Sequence, residues 1–382
     1  MNVLILTSNT GGGHLKATEA IYEHIKMRNL NYNIKIFNTL DYINPYFNKL
    51  ITSFYSECTK KYPDLFGKIY YYSEEDHIPI TIFSSILKGL SKKFLPTIED
   101  FSPHIIISTH PFSTEMISYL KENGHIHNSK LINLLTDYAP HKFWIHDYVD
   151  AYITASEQMT KDMINRGVNE DIIYPIGIPV GTSFLVSYDK KKTLASIGFS
   201  ENRFTILLMS GSLGVDYVLK IFKMIIEIRR PIQIIIITGN NTLLYNKFKT
   251  IIKNSNNPFI KFHLLGFTKE VSKYMSISDV IITKPGGLTT TEAIFSNLPI
   301  IFFDAVPGQE EKNAEFILNN KMGMRISKSK ESIDEFVKLI DNRYLLEEMK
   351  NNIISVRKDN FLDNLINIIN SLLNRNDKDD KN

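Results

Sequence analysis

The stretch "NVLILTSNTGGGHLKATEAI" at residues 2–21 decides how the rest of the chain is interpreted. It opens with an apolar run that has little polar alternation, which is typical of a strand buried on both faces of a parallel sheet. Three glycines then lead into apolar positions at helical spacing, namely Ala17, Ala20, Ile21 and Ile25. A strand, a glycine-rich turn and an amphipathic helix in this order predict the first unit of a doubly wound α/β domain.

The same alternation runs through the chain twice. Runs rich in Ile, Leu and Val predict a first series of strands at 2–8, 33–38, 104–110, 130–137 and 151–156. A second series is predicted at 204–212, 232–239, 260–267, 280–284 and 299–305. Because helical segments separate these runs, we predict two Rossmann-like, doubly wound domains facing across a cleft. Ligands of such sheets bind at the carboxyl ends of strands, so the loops after the strands are the ones to inspect.

The expected domain boundaries follow from the positions of Gly and Pro residues, which mark a linker. The first domain is expected at residues 1–180 and the second at 181–358, with "YPIGIPVGTSF" at 174–184 as the linker. A helix at 359–375 is expected to pack back on the first domain. Because it follows the second series of strands, packing on the second domain is the alternative. The polar residues 376–382 are expected to be disordered.

Bulk composition excludes several classes of protein. The net charge of the 382 residues is only +3, which argues against a dedicated nucleic-acid binder. The single cysteine, Cys58, allows neither an internal disulfide nor a cysteine-based zinc site. No apolar run is long enough to span a bilayer, and the run at 2–8 is too short for a signal peptide. We therefore expect a cytoplasmic protein.

The loop "SNTGGGH" at 8–14 matches neither standard phosphate motif. A dinucleotide fingerprint needs a glycine where Lys16 stands, and a P-loop needs a Lys-Ser/Thr pair. Gly12 and Gly13 instead leave room at a helix start, whose positive end favours a neutral imidazole at His14. Because a neutral imidazole can remove a proton from a hydroxyl, His14 is the candidate base. A tight turn followed by an inert histidine is the alternative, with about equal weight.

Two further loops of the first domain carry an unusual concentration of polar and aromatic side chains. They are "STHPFST" at 108–114 and "TDYAPHKFWIH" at 136–146, and their candidate site residues are His110, Asp137, His141 and Trp144. Their spacing does not match the H-E-x-x-H pattern of zinc proteases, so we expect no metal site.

Three loops of the second domain are candidates for an anionic ligand. "MSGSLG" at 209–214 and "TKPGGLTTTEAI" at 283–294 combine turn glycines with hydroxyls at a helix start, which suits a diphosphate. Glu292 on the following helix suits a ribose diol, since a carboxylate accepts two hydrogen bonds. In "VPGQEEKNAEF" at 306–316, Gln309 and Asn313 share a helix face and could contact sugar hydroxyls. The alternative in each case is an ordinary capped helix.

Taken in order, "TSNTGGGHLKATEAI", "STHPF", "TDYAPHKFWIH", "GIPV", "TKPGGLTTTEA" and "VPGQEEKNA" resemble the pattern of the monogalactosyldiacylglycerol synthase and processive diacylglycerol glucosyltransferase family, within glycosyltransferase family 28. The resemblance spans about residues 1–350. It implies the GT-B fold and His14 as the base that takes the proton of the acceptor hydroxyl. The residues it implies on the acceptor side are Gly12, Gly13, His110, Asp137, His141 and Trp144. It also implies UDP-sugar contacts at Gly211, Ser212, Gly214, Lys284, Gly286, Gly287, Leu288, Thr289, Glu292, Gln309, Glu310 and Asn313.

The resemblance also implies an activity. We expect inverting, metal-independent transfer of a hexose from UDP-glucose or UDP-galactose to the 3-hydroxyl of 1,2-diacylglycerol, with further sugars added in turn. The UDP-sugar is a substrate, and no cofactor is expected. Three alternatives stay open: a polyprenyl-diphosphate-linked N-acetylglucosaminyltransferase of cell-wall synthesis, a sugar-nucleotide epimerase, and a non-catalytic UDP-sugar sensor that binds a membrane or a partner protein. The choice of hexose and the oligomeric state stay open.

A lipid acceptor requires a contact with the membrane. Aromatic residues are concentrated at 44–100, and "TIFSSILKGLSKKF" at 81–94 has the pattern of a basic amphipathic helix. Its candidate membrane-contact residues are Phe83, Leu87, Lys88, Leu90, Lys92, Lys93 and Phe94. Such a helix prefers anionic lipid, so we expect a peripheral protein on the inner face of the cell membrane. The alternative is an ordinary helix packed on the domain with its lysines in water.

Overall fold

Two parallel six-stranded sheets, one in each half of the chain, form the framework of the molecule. The computed structural model describes residues 1–9, 12–74, 78–209, 215–303 and 305–379. The strands are β1 (Asn2–Thr7), β2 (Asn33–Asn38), β3 (Ile105–Ser108), β4 (Lys130–Leu134), β5 (Ala151–Ile153), β6 (Ile173–Tyr174), β7 (Phe204–Met209), β8 (Ile232–Ile237), β9 (Ile260–Leu265), β10 (Val280–Thr283), β11 (Ile300–Phe302) and β12 (Gly323–Arg325). Every predicted strand is present, and β6 and β12 are short additional strands at sheet edges.

Helices connect the strands in both halves. In the first half they are α1 (Gly13–Met27), α2 (Thr39–Ile43), α3 (Pro45–Lys61), α4 (Pro63–Tyr72), α5 (Ile78–Ser91), α6 (Leu95–Phe101), α7 (Pro111–Glu122) and α8 (Glu157–Asn165). They continue as α9 (Lys190–Ser196), α10 (Val215–Ile225), α11 (Thr242–Lys253), α12 (Val271–Ile277), α13 (Gly287–Phe295), α14 (Gln309–Asn319), α15 (Lys330–Asp341), α16 (Arg343–Val356) and α17 (Phe361–Asp379). Short 3₁₀ turns lie at Lys92–Phe94, Lys142–Trp144, Glu170–Ile172 and Thr182–Leu185.

The first unit comprises Met1–Thr182, Pro307–Gln309 and the chain from Lys358 onward. Its sheet has the order β2-β1-β3-β4-β5-β6, with Val3 opposite both Ile34 and Ile105. Strands β3 and β4 are almost entirely buried, as their Ile- and Leu-rich sequences require. The loops after β1, β3 and β4 are therefore neighbours at one edge of the sheet.

The second unit comprises Ser183–Val306 and Glu310–Arg357. Its sheet has the order β12-β11-β10-β7-β8-β9, so the loops after β10 and β11 are neighbours. Strand β8 is buried at all six residues, and the apolar stripe of α10 packs on the sheet through Val218, Ile221 and Phe222. A hydrophobic core separate from that of the first unit results.

The last helix, α17, belongs to the first unit. Its residues Leu365, Ile369 and Leu372 join the core formed by β1 and α1. Arg28 of α1 donates two hydrogen bonds to the carboxylate of Asp363 at 2.7 and 2.9 Å. The helix extends to Asp379, so residues 376–379 are helical where the polar composition predicts disorder.

Part of the stripe at 81–94 that was predicted to face a membrane instead packs on the protein. Leu87 and Phe94 are 0% exposed, so their predicted membrane contact is wrong. The Phe83 ring lies edge-on to Phe112 of α7, with the ring centres 5.1 Å apart. The physical reason is that a helix packed on a domain and a helix lying in a membrane interface have the same amphipathic pattern.

The other members of that predicted set lie in three different environments. Leu90 is half-buried, and the Lys88 ammonium sits 5.7 Å from the centre of the Tyr119 ring. Lys92 and Lys93 are exposed, and Lys93 Nζ donates to the carbonyl of Ile43 at 2.8 Å. Within the described ranges, no helix combines the length and apolar character needed to cross a bilayer.

The packing of α17 predicts a large effect of a single truncation. Leu365 is fully buried in the core of the first unit, so Leu365→Ala is expected to lower the free energy of unfolding of that unit by about 2–5 kcal/mol. The matched control is Asn367→Ala, which alters an exposed side chain of the same helix. This substitution should change the free energy of unfolding by no more than about 0.5 kcal/mol. Urea unfolding of both variants measures the difference, and equal midpoints would contradict this placement of α17.

Candidate functional site

A left-handed glycine begins the helix that carries His14. Gly12 is the N-cap of α1 with φ 77° and ψ −22°, a conformation that residues with a Cβ rarely adopt. The Gly12 carbonyl accepts the first helical hydrogen bond from Lys16 N at 3.2 Å. Helix α1 therefore begins abruptly at Gly13 and places the His14 side chain in its first turn, at the carboxyl edge of the sheet.

Two neighbouring strands fix the His14 ring. Its Nδ1 lies 2.6 Å from the carbonyl oxygen of Thr109, just after β3, and 3.0 Å from Oγ1 of Thr136, just after β4. A carbonyl only accepts, so Nδ1 carries the hydrogen and donates it. In the neutral ring the lone pair is then on Nε2. This is the tautomer that a base needs.

Burial keeps this imidazole neutral. It lowers the pKa of His14 from the usual 6.5 to about 4, and the hydrogen bond to the Thr109 carbonyl opposes that shift only in part. The His110 ring lies edge-on at 4.7 Å, and the Trp144 ring lies 6.0 Å away. The pKa of His110 is likewise well below its usual value, mainly because the ring is buried and to a smaller extent because His14 is near. The sequence attributes the neutral state to the helix terminus, whereas burial is its main cause here.

Buried threonines support the carbonyl that holds His14. Thr109 is fully buried, and its hydroxyl lies 3.1 Å from that of Thr7 and 3.0 Å from that of Thr18. Sequence reasoning singled out neither Thr109 nor Thr136. The available signal was that each is the second-last residue of a predicted strand, in "STH" and "LLTD", where a parallel sheet places its ligand-facing edge.

His110 and His141 have the same local role. Each is followed two positions later by a phenylalanine, Phe112 or Phe143, whose backbone N–H donates to the histidine Nδ1 at 3.3 or 3.2 Å. His110 thereby caps α7, and His141 caps the turn Lys142–Trp144. Both rings are thus fixed parts of the scaffold, in the tautomer protonated on Nε2.

The predicted acceptor-side residues do not all surround His14. His110 and Trp144 contact its ring, and Trp144 is buried with its carbonyl bonded to Asn133 Nδ2 at 2.7 Å. His141 instead lies against Tyr70, with the ring centres 4.4 Å apart. Asp137 is buried within the first unit and accepts a hydrogen bond from Gln309 Nε2.

The donor-loop candidates of the second unit lie after β10 and β11. Gly286 is the N-cap of α13, and a Cβ placed on it would meet no atom within 4 Å. The Lys284 ammonium lies 3.6 Å from Oε2 of Glu310, which accepts from Val306 N at 2.8 Å. A cation thus stands beside a helix N-terminus that opens to free space, which is a favourable place for an anion.

The remaining donor candidates follow along two helices. Gly287 is buried at the start of α13, and Leu288, Thr289 and Glu292 are half-buried farther along it. Asn313 of α14 is fully buried. Gly211, Ser212 and Gly214 lie outside the described residues. Among the side chains that the structure describes, no group of three or more His, Cys, Asp or Glu is placed to hold a metal ion.

Two family models match the two halves of the chain. Residues 14–180 match the monogalactosyldiacylglycerol (MGDG) synthase model, and residues 205–365 match the glycosyltransferase family 28 C-terminal domain. Among solved structures, that of Acinetobacter baumannii MurG superposes with a TM-score of 0.65 over 97% of this chain and 99% of that one. At 12% identity, this likeness shows the fold alone, which is the two-domain GT-B architecture.

Curated relatives match along nearly the whole chain. A processive diacylglycerol beta-glucosyltransferase of Bacillus licheniformis is 26% identical over 94% of this chain and 92% of its own length. One of Staphylococcus epidermidis is 30% identical over 92% of this chain and 88% of its own length. The chain therefore belongs to the family of the processive diacylglycerol beta-glucosyltransferases and is a glycosyltransferase.

Proposed function

We propose that the protein transfers a hexose from UDP-glucose or UDP-galactose to the 3-hydroxyl of 1,2-diacylglycerol, with inversion at the anomeric carbon. The observation that carries the proposal is the fixed tautomer of His14. Its Nδ1–H is bonded to the Thr109 carbonyl, so Nε2 is the nitrogen that accepts a proton. The names of the family relatives, diacylglycerol beta-glucosyltransferases, support this acceptor and favour glucose.

The proposed step is a single displacement. His14 Nε2 takes the proton of the acceptor hydroxyl while that oxygen forms a bond to the anomeric carbon. The bond from this carbon to the UDP oxygen breaks, and UDP leaves with the electron pair. Attack opposite the leaving group inverts the configuration. The proton remains on His14, which must release it to solvent before the next cycle, and a low pKa favours that release.

The second unit is proposed to hold the UDP moiety. Lys284 and the N-terminus of α13 supply the positive potential that a leaving diphosphate needs, without a catalytic metal ion. Glu292 is proposed to accept hydrogen bonds from the ribose hydroxyls, and Gln309, Glu310 and Asn313 to contact the sugar. Relatives named processive support a second transfer, in which the glycolipid product is the next acceptor.

The membrane contact is proposed to lie on α3 and α4 rather than on the inner stripe of α5. Tyr46, Leu50 and Phe54 recur at every fourth position of α3 and are 86%, 68% and 58% exposed. Exposed apolar side chains in such a row indicate a surface that meets a partner or a membrane. Because the proposed acceptor is a lipid, we take the membrane rather than a partner protein as the occupant of this surface. We propose a peripheral association with the inner face of the cell membrane.

The proposal is tested by product analysis. Purified protein is incubated with UDP-glucose or UDP-galactose and vesicles that contain diacylglycerol, and the lipids are separated by thin-layer chromatography. We expect mono- and diglycosyl products from one donor, with unchanged rates in EDTA. Turnover of donor without lipid would indicate an epimerase instead, and binding of donor with no turnover at all would indicate a sensor.

Removal of the base should act on the chemical step. His14→Ala is expected to lower kcat by about 10²–10⁴-fold, the usual worth of a positioned general base, with UDP affinity unchanged. His125→Ala is the matched control, because His125 is exposed in the turn after α7. Initial rates and calorimetric UDP titrations measure both effects. A His14→Ala variant with the activity of the control would refute the assignment.

The low pKa of His14 predicts an unusual pH dependence. With a folded-state pKa of about 4, the ring stays neutral from alkaline pH down to below pH 6 and is protonated only as pH falls further. We expect its imidazole resonances to titrate well below the usual 6.5. The measurement is NMR of protein with labelled histidine, assigned with His14→Gln. A midpoint near 6.5 would contradict the buried environment.

Glu292 is expected to act on donor binding. Loss of hydrogen bonds to its carboxylate in Glu292→Ala should weaken UDP binding by about tenfold to a hundredfold. Glu335→Ala, which removes an exposed carboxylate from α15 of the same unit, is the matched control and should bind like the parent protein. Calorimetric UDP titration compares them, and equal dissociation constants would exclude a role for Glu292 in the ribose site.

A further inference from the structure

Helix α4 has two faces of opposite character. Its outer face presents Tyr62, Leu65, Ile69 and Tyr72, whose spacing of three, four and three residues places them on one side of the helix. They are between 38% and 60% exposed. We call these four side chains the outer stripe of α4. On the inner side, Tyr70 and Ser73 are largely withdrawn from solvent.

The inner side of α4 rests on His141. The Nε2 atom of His141 lies 3.2 Å from the Tyr70 carbonyl oxygen and 3.2 Å from Ser73 Oγ. Ser73 Oγ itself donates to the Tyr70 carbonyl at 2.7 Å. Because His141 Nδ1 accepts from Phe143 N, Nε2 carries the hydrogen and donates toward α4. One imidazole thus joins the end of α4 to the turn Lys142–Trp144.

An ion pair supports the same junction from the side. Arg166, just after α8, donates to both carboxylate oxygens of Glu74, at 2.6 and 3.4 Å. Oε1 of Glu74 lies 3.7 Å from His141 Nε2. The end of α4 is therefore held to the body of the first unit at the very place where it touches His141.

The turn capped by His141 leads directly to the candidate base. Trp144 is the last residue of that turn, and its ring lies 6.0 Å from the ring of His14. His141 thus connects the end of α4 to the turn whose last residue, Trp144, lies beside His14. None of Tyr70, Ser73, Glu74 and Arg166 was singled out from the sequence.

We propose that the outer stripe of α4 is a bilayer contact and that His141 transmits this contact to Trp144 and the acceptor side of His14. The proposal rests on the proposed function, since it takes a lipid surface as the source of the acceptor. Tyrosine and aliphatic side chains together are typical of the membrane interface, where rings lie at headgroup level. Exposed Lys61 and Lys68 flank the stripe, where Asp64 and Glu57 balance their charge and Lys61 Nζ lies 3.0 Å from Oε1 of Glu57. His141 is then a positioning residue.

The single tryptophan of the chain makes the coupling measurable without turnover. Vesicles of phosphatidylglycerol and diacylglycerol are titrated into the protein while Trp144 emission and co-sedimentation are recorded. We expect vesicles to change the emission of the parent protein. Brominated lipid should leave Trp144 unquenched, because this residue is 5% exposed and acts through α4. Strong quenching by brominated lipid would mean direct insertion of Trp144 and would overturn the proposal.

Two substitutions of His141 separate its two hydrogen bonds. His141→Asn keeps an acceptor for Phe143 N, since Asn is a good N-cap residue. Its side chain is too short to hydrogen-bond to the end of α4. His141→Gln replaces the Nε2 donor with an amide nitrogen. We expect His141→Asn to co-sediment like the parent and to lose the Trp144 response. Its KM for vesicular diacylglycerol should rise about threefold to tenfold, which is the effect expected for the loss of one hydrogen bond. The fall in kcat should be smaller than this rise in KM. His141→Gln should restore the response.

The surface itself is tested with Leu65→Ser/Ile69→Ser. This variant should lose co-sedimentation, whereas Leu243→Ser, which removes an even more exposed leucine from the second unit, should not. If the double variant still binds vesicles, the outer stripe of α4 is not the bilayer contact. If His141→Asn keeps the full Trp144 response, His141 does not transmit the contact. Absence of glycolipid from the parent protein would refute the proposed function alone, because binding and fluorescence do not depend on transfer.

Discussion

The hydrogen bond from His14 Nδ1 to the Thr109 carbonyl is the contact on which the candidate site depends. It selects one tautomer of a buried imidazole, and it does so with a backbone group whose position is set by strand β3. The carbonyl is held in turn by the hydrogen bonds that Thr109 makes to Thr7 and Thr18. The parallel sheet therefore determines the position of the ring and of its unprotonated Nε2, because the ends of β1, β3 and β4 all meet at this ring.

A second constraint follows from the burial of this ring. An imidazole with a pKa near 4 is a weak base, yet it is unprotonated at neutral pH and needs no preceding deprotonation. The His110 ring beside it is neutral as well, because burial and then the nearby His14 hold the pKa of His110 well below its usual value. The ring can therefore accept a proton at neutral pH without losing one first, although it is only a weak base.

The sequence predicts the framework well, because buried parallel strands leave a plain record of Ile, Leu and Val. It also identifies His14 and His110, which the structure places in contact. It does not distinguish a helix packed on a domain from one at a membrane, since both show one apolar stripe. The burial of Leu87 in α5 and of Phe94 in the following turn therefore could not be predicted. Nor does the sequence reveal that Tyr70 and Ser73 meet His141, because that contact joins segments about 70 residues apart. Contacts of this kind depend on tertiary packing rather than on any local pattern.

The position of α17 has a consequence for how the chain acquires its structure during synthesis. The second unit is built from the stretch Ser183–Val306 and Glu310–Arg357, all of which leaves the ribosome before α17. The core of the first unit, in contrast, includes Leu365, Ile369 and Leu372 near the far end of the sequence. Domains fold as units once their residues are available. The core of the first unit is therefore completed after that of the second, and β1 and α1 keep an open apolar face until α17 has been synthesised.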